Sequence, residues 1–368
     1  MIQDGGKPTV IVVDDEATNL SFLKEILQDE FNVRLSPSGE RALAFMEKSA
    51  PDLLLLDIEM PGMNGYDVIR AVKKREEWRE IPILILTGQE DREGEEIAFN
   101  LGAVDYIRKP ISAGVVKARV RLHMELENHR KNLEGLVETR TEQLEKMQDA
   151  ILNILANMTS FRDNETGAHI KRTTIYAKVL IENLMKKRHQ HYQVDPKYAD
   201  SVVKSAKLHD IGKVAIPDSI LFKPAKLTVE EFEVIKKHSV YGAFILDSAI
   251  DELGGDTSLF LNVAREIIIG HHEKWNGSGY PAGIKGDSIP ISARIMAIAD
   301  VYDALISERP YKKPFTHEVA MNIILKDAGT HFDPTLVELS LDVMESFRDI
   351  ALMHKDDHSF EVYEGIYL

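Results

Sequence analysis

The sequence predicts a multidomain protein: an α/β doubly wound domain, then a long helical linker, then an all-α domain. Three patterns carry this. Over about the first 110 residues, short β-rich runs alternate with amphipathic helical stretches. From Leu122 to Met158 apolar residues return at three- and four-residue steps, and past Ile151 helical spacing continues while strand signals are scarce. A chain of 368 residues has room for two cores and a connector.

The β-rich runs are TVIVV, NVRLS, LLLLD, ILILT and VDYIR, with segments such as NLSFLKEILQ and GERALAFMEK between them. Such alternation builds βαβ units, a parallel sheet with helices on both faces. LLLL lacks two-residue alternation, as expected of a strand buried on both sides. Polar residues gather where these strands end: Asp14 and Asp15 at the first, Asp57 at the third, Thr87 at the fourth, and Lys109 after the fifth. The carboxyl ends of parallel strands share one sheet edge, where ligands bind. Three aspartates brought together there repel one another unless a cation joins them, and oxygen donors favour magnesium.

In order and spacing, VVDDE, LLLLDIEMPGMNG, ILTG and RKP resemble the flavodoxin-like receiver domain of two-component response regulators, over about residues 7–123. The resemblance implies that Asp57 accepts a phosphoryl group from a cognate sensor histidine kinase. It also implies that Asp14 and Asp15 hold magnesium with the backbone carbonyl of Glu59, that Thr87 and Lys109 contact the phosphoryl oxygens, and that Tyr106 is the switch aromatic. Gly88 stands where alanine is more usual. A Thr87 hydroxyl reaching for new phosphate oxygens supplies the differential contact a switch needs.

After Ile111 the helical pattern runs on. Leu122, Leu126, His129, Leu133, Val137, Arg140, Leu144, Met147, Ile151, Ile154 and Met158 form a heptad seam with one stutter, at Leu133 to Val137. Charged residues fill the other faces and no proline intervenes. The pattern predicts a parallel coiled coil between two copies of the chain, a homodimer, with an amphipathic helix lying on its own domain as the alternative. His129 and Arg140 in the seam weaken such a coil.

The C-terminal region reads as helical in ADSVVKSAKLHDIG, TVEEFEVIKKHSVYGAFIL and SARIMAIADVYDALIS. Residues with ligand chemistry recur inside it: Glu165 and His169 four apart, adjacent His209 and Asp210, His238, the pair His271–His272 ahead of a glycine-rich turn, and Asp300 within apolar AIADVYDAL. Carboxylates in such surroundings need a cation or donors. With no cysteine in the chain, nitrogen and oxygen donors suit iron, manganese or zinc, and two or three such ions are the usual equipment for phosphoester hydrolysis.

HDIGK, HHEKWNGSGYP, IADVYDAL and SERPYKK, spread over about residues 150–345, resemble the HD-GYP subfamily of HD metal-dependent phosphohydrolases, which hydrolyse cyclic di-GMP. The resemblance implies a metal set of His169, His209, Asp210, His238, His271, His272 and Asp300, with Asp210 bridging ions, and Glu165 adding a third ion to the cluster. Iron or manganese is the expected metal. Lys213 would assist the leaving oxygen, Asp163 would either support a metal ligand or shuttle a proton, and Arg309 and Lys312 would hold substrate phosphates. Tyr280 would pack against the ligand, and Gly279 would let the loop approach it.

The expected organisation is a receiver domain over 1–123, a coiled-coil linker over 124–158, an HD-GYP domain over 159–345 and a tail over 346–368 without a readable motif. The expected product is pGpG, GMP or both. Alternatives are an idle cyclic-di-GMP-binding adaptor and a hydrolase of another cyclic dinucleotide. A net charge of −15 argues against duplex nucleic acid, no apolar run approaches the roughly 18–20 residues that cross a bilayer, and MIQDGGKPTV lacks a signal-peptide pattern. The expected location is the cytoplasm. His189, His191, His317, His331, His354 and His358 are not expected to bind metal.

Overall fold

The β-rich runs pair as a five-stranded, all-parallel sheet in the order β2-β1-β3-β4-β5. The strands are β1 Thr9–Val13, β2 Asn32–Ser36, β3 Leu53–Asp57, β4 Ile83–Thr87 and β5 Asp105–Arg108. Connecting them are α1 Ala17–Leu27, α2 Gly39–Lys48, α3 Gly65–Lys74 and α4 Arg92–Leu101, with α5 Ala113–Phe161 following β5. A computed structural model describes residues 6–88, 92–162, 167–187, 192, 194–255, 258–308 and 313–354. The chain divides into two compact units, Met1–Glu142 and Gln143–Leu368.

Along β1, β3 and β4 successive side chains alternate between two cores. Ile11, Val13, Leu54, Leu56, Ile83 and Ile85 face α2, α3 and α4, and Val10, Val12, Leu53, Leu55, Leu84 and Leu86 face α1 and the first turns of α5 through Val116 and Val120. All five residues of β3 and of β4 are buried, which explains their unbroken apolar runs. Ser38 and Asn64 cap α2 and α3 by accepting a backbone N–H, so these helices begin where the sheet edge needs them.

The second unit is helical among the described residues. Its elements after α5 are α6 Gly167–Lys187, α7 Pro196–Ala206, α8 Asp218–Leu221, α9 Val229–Ile235, α10 His238–Glu252, α11 Leu259–Gly270, α12 Ile291–Ile306, α13 His317–Lys326, α14 Pro334–Ser340 and α15 Met344–Met353. Tyr176, Ile181, Val202, Ile267, Ile298, Tyr302, Ile324 and Phe347 meet in one core. A smaller cluster joins Leu152 of α5 to Leu208, Ala243, Leu246, Ala264 and Ile268.

Two expected helices are interrupted, each at a histidine. KLHDIG does not continue α7, which ends at Ala206; His209 and Asp210 lie in a turn, followed by a 3-10 segment at Ile211–Ala215. The stretch from TVEEF to GAFIL breaks at Lys236–Lys237 into α9 and α10. In both places the imidazole Nδ1 bonds a carbonyl three residues back, Ala206 from His209 and Ile235 from His238, occupying the acceptor where the helix stops.

Among the described residues, no helix is long and apolar enough to cross a membrane. The predicted seam of α5 is exposed: Leu133 is 61% and Leu144 68% accessible, and Leu122, Leu126, Val137, Met147, Ile151, Ile154 and Met158 are exposed as well. Buried Leu152 and Ala156 occupy another face of the same helix.

Candidate metal centre and phosphoacceptor site

In the second unit five elements deliver one side chain or pair each. His169 comes from the first turn of α6, His209 and Asp210 from the turn after α7, His238 from the first residue of α10, His271 and His272 from the end of α11, and Asp300 from α12. They form two groups in which the ligand atoms lie within 4.8 Å of one another: His169, His209 and Asp300, and Asp210, His238, His271 and His272. Asp210 lies between them. Its Oδ2 is 3.1 Å from His209 Nε2, and its Oδ1 is 3.3 Å from His238 Nε2 and 3.8 Å from His271 Nε2.

The imidazoles are oriented for coordination. His209, His238 and His271 direct Nδ1 to backbone carbonyls at 2.9, 2.8 and 2.9 Å, an arrangement that leaves a lone pair on Nε2. His209 Nε2 and Asp210 Oδ1 are buried and make no hydrogen bond of acceptable geometry. Orphaned polar atoms in a dry interior are costly unless an ion joins them. Electrostatics agree. Burial pushes His271 down to about 3, and burial followed by its neighbouring imidazoles pushes His272 well below its ordinary value, so both are neutral donors near pH 7. Burial would raise Asp210, but Lys213, His209 and His238 outweigh it and hold this carboxyl well below the usual range. Lys213 Nζ is 2.8 Å from Asp210 Oδ2.

Tyr280 lines the same place, its ring 4.7 Å from that of His272 and tilted by 30°. Its loop has no room for a side chain at Gly279, where a Cβ would lie 2.3 Å from Lys274 N and 2.5 Å from Glu273 Cα. Asp163, Glu165, Arg309 and Lys312 lie outside the described residues, as do His189, His191 and His358. Of the histidines set aside, His317 bonds the Tyr302 hydroxyl through Nδ1 at 2.7 Å and His331 stacks on Phe332, both apart from the two groups.

At the carboxyl edge of the sheet, Asp14, Asp15 and Asp57 form a third group. Asp57 is 2% exposed; Lys109 Nζ donates to its Oδ2 at 2.7 Å and lies 3.7 Å from Asp14 Oδ2. Burial raises Asp57 above its ordinary value despite Lys109, and Asp57 in turn holds Lys109 raised against the opposing effect of burial. Glu59 N donates to Asp57 Oδ1 at 3.4 Å. Thr87, buried at the end of β4, donates to the Gly88 carbonyl at 3.0 Å. Tyr106 packs edge-on to Phe99, with the guanidinium groups of Arg108 and Arg119 over its ring.

Comparison with known proteins agrees with both halves. A family model described as "Response regulator receiver domain" matches residues 10–121, and one described as "HD domain" matches residues 131–336, more than half the chain. The chain belongs to the HD-domain response regulators. A Vibrio cholerae protein named "Probable cyclic di-GMP phosphodiesterase" is 44% identical over 97% of this chain and 82% of its own length. The "Cyclic di-GMP phosphodiesterase response regulator RpfG" of Xanthomonas campestris is 33% identical over 90% of this chain and 86% of its own. A "3'3'-cGAMP-specific phosphodiesterase 2" from Vibrio cholerae is 45% identical over 52% of this chain and 34% of its own. An HD domain carries a divalent-metal site, and the two His/Asp groups are the part of this chain that fits one.

Three supports of the HD and receiver sites were not expected from sequence. Asp303, fully buried on α12, accepts from His169 Nδ1 at 2.8 Å and from Arg172 Nε at 2.6 Å. Burial would raise it, but the hydrogen bonds from Arg172 and His169 hold it at about 2. Glu273, buried beside the histidine pair, accepts from Ala282 N at 2.7 Å and Gly283 N at 3.1 Å, which closes the Tyr280 loop. Asn19 donates to both oxygens of Asp14 at 3.1 and 3.0 Å. A signal existed for the first: Asp303 follows Asp300 by one helical turn.

Proposed function

We propose that this chain is a phosphorylation-controlled cyclic di-GMP phosphodiesterase, with His169, His209, Asp210, His238, His271, His272 and Asp300 as the metal ligands and Asp210 as the bridge. The observation that carries this reading is the run of imidazole Nε2 atoms around one buried, deprotonated Asp210. Divalent ions held there would supply Lewis acidity toward a phosphate oxygen and lower the pKa of water. Iron and manganese suit this mixed nitrogen and oxygen set. The Tyr280 ring forms a wall of the substrate site beside His272, Gly279 allows that wall to come close, and Lys213 Nζ supplies a proton to the departing ribose oxygen. Arg309 and Lys312 hold the two phosphates, and Asp163 shuttles protons.

The test is anaerobic metal loading of the whole chain, then equal concentrations of cyclic di-GMP and 3'3'-cGAMP, reading linear product, pGpG or GMP. Cyclic di-GMP is expected to turn over at least about tenfold faster, a difference of about 1.4 kcal/mol in transition-state binding. A reversed preference would favour the second reading, supported by the 45% identity to the 3'3'-cGAMP enzyme. No product from either would leave a nucleotide-binding adaptor. Glu165→Ala is expected to lower the ion count from three to two per chain by elemental analysis, and an unchanged count would remove Glu165 from the ligand set.

In the receiver half, Asp57 is the phosphoacceptor, with magnesium on Asp14, Asp15 and the Glu59 carbonyl, Thr87 and Lys109 on the phosphoryl oxygens and Tyr106 as the switch aromatic. The support is the Asp57–Lys109 pair at 2.7 Å beside Asp14. Two chains pair through the α5 seam, whose Leu133, Val137, Leu144 and Met147 are exposed among the described residues. Leu133→Asp with Leu144→Asp is expected to convert a dimer to a monomer by light scattering; an unchanged mass would place the interface elsewhere.

A further inference from the structure

The histidines around Asp210 differ in what holds them. His209, His238 and His271 give Nδ1 to backbone carbonyls three or four residues back, which are neutral and local acceptors. His169 gives Nδ1 to the carboxylate of Asp303, 134 residues away in sequence, at 2.8 Å. An anionic acceptor both fixes the ring and increases the electron density at the opposite nitrogen, so it strengthens the imidazole as a ligand.

Asp303 is itself fixed. Arg172 donates Nε to Oδ1 at 2.6 Å and Nη2 to Oδ2 at 2.8 Å, a bidentate fork, and Ser307 Oγ donates to Oδ2 at 3.1 Å. Arg172 also donates to Ser307 Oγ at 2.9 Å and to the His354 carbonyl at 2.9 Å. Asp303 is fully buried and Arg172 is 3% exposed, so neither charge is there for solubility. The chain His169–Asp303–Arg172 runs between two packed helices. On α6, His169 precedes Arg172 by one turn; on α12, Asp300 precedes Asp303 by one turn. Each helix presents one candidate ligand, His169 Nε2 and Asp300 Oδ1 being 3.6 Å apart; one turn on, Asp303 of α12 supports His169, and Arg172 of α6 in turn supports Asp303.

We propose that Asp303, clamped by Arg172, is a positioning residue that aims His169 and sets ion affinity at the His169–His209–Asp300 group, without acting on the Asp210–His238–His271–His272 group. The inference rests on the reading of these side chains as metal ligands. It makes the two ends of the centre separately adjustable, because a carboxylate supports a ligand at one end through His169, while His238 and His271 at the other are held by carbonyl dipoles.

Asp303→Asn alone leaves a buried guanidinium facing a neutral amide and is at risk of misfolding, so the informative protein is the double variant Asp303→Asn/Arg172→Gln, which removes both charges. The full-length chain, stripped of metal and shown by thermal unfolding to retain its fold, is titrated anaerobically with Mn2+ and followed by calorimetry and electron paramagnetic resonance. His169→Ala serves as the reference for the parent reading. The expected result is that one class of Mn2+ site weakens by about 10–100-fold in the double variant while the other keeps its wild-type affinity. Restoring Arg172 in Asp303→Glu, which keeps the charge, is expected to recover part of the lost affinity. If His169→Ala loses an ion but the double variant binds every ion as wild type does, the inference is wrong and the ligand reading survives. Equal weakening of all sites would make Asp303 a folding residue and overturn the inference too. If His169→Ala loses no ion, the ligand reading itself fails.

Discussion

Asp210→Asn is expected to lower phosphodiesterase turnover by on the order of 10³-fold, about 4 kcal/mol of transition-state stabilisation. The Asp210 carboxylate faces three candidate ligands and one cation: His209 at 3.1 Å, His238 at 3.3 Å, His271 at 3.8 Å, and Lys213 at 2.8 Å. Asparagine keeps the shape and one acceptor but removes the charge on which those four groups converge. A neutral amide cannot offset two cations, so ions at both groups lose affinity together, unlike the one-sided loss expected at Asp303. The measurement is linear nucleotide formed per chain, with the ion count from elemental analysis on the same preparation. A variant that keeps a full complement of ions and a tenth of the rate would show that Asp210 is not the bridge.

The legible parts of this molecule are those where chemistry and periodicity coincide in a short window. β3 reads LLLLD because both faces are covered and its last residue meets the site, and the five strands fall where the apolar runs place them. His271–His272 and His209–Asp210 stand out because paired donor residues are rare in helical contexts. What periodicity misses is any event decided by a side chain bonding the main chain. At the breaks before His238 and after Ala206 an imidazole bonds a carbonyl, and apolar spacing reads straight through both. Contacts between separate segments are fainter still: the one-turn spacing of Asp303 from Asp300 hints at the contact with His169, but nothing near Glu273 announces the N–H groups of Ala282 and Gly283 whose hydrogen bonds it accepts. The α5 seam is a middle case. Its spacing is plain in the sequence, whereas its exposure among the described residues is read from the coordinates.

Gly212→Ala is expected to destabilise the second unit by about 3 kcal/mol and to lower its unfolding temperature by roughly 6–12 °C. The methyl group would fall 1.9 Å from the His238 carbonyl oxygen and 2.4 Å from Gly242 N, and both are main-chain atoms of α10 that cannot rotate away. The turn bearing Asp210 therefore has to move off the helix bearing His238, and the 3.3 Å approach between those two side chains opens. Loss of stability and loss of Mn2+ at the Asp210 group should then occur in one variant, because the same main-chain contact supports both. Gly135→Ala is the contrast: a Cβ there meets nothing within 4 Å in the middle of α5, so it should leave metal binding alone and add about 0.5–1 kcal/mol of helix stability. Calorimetric unfolding of the metal-free chain, paired with Mn2+ titration, separates the two. An alanine at 212 that unfolds at the wild-type temperature with all ions in place would mean that the turn and α10 are not packed glycine against backbone, and the geometry argued for Asp210 would lose its support.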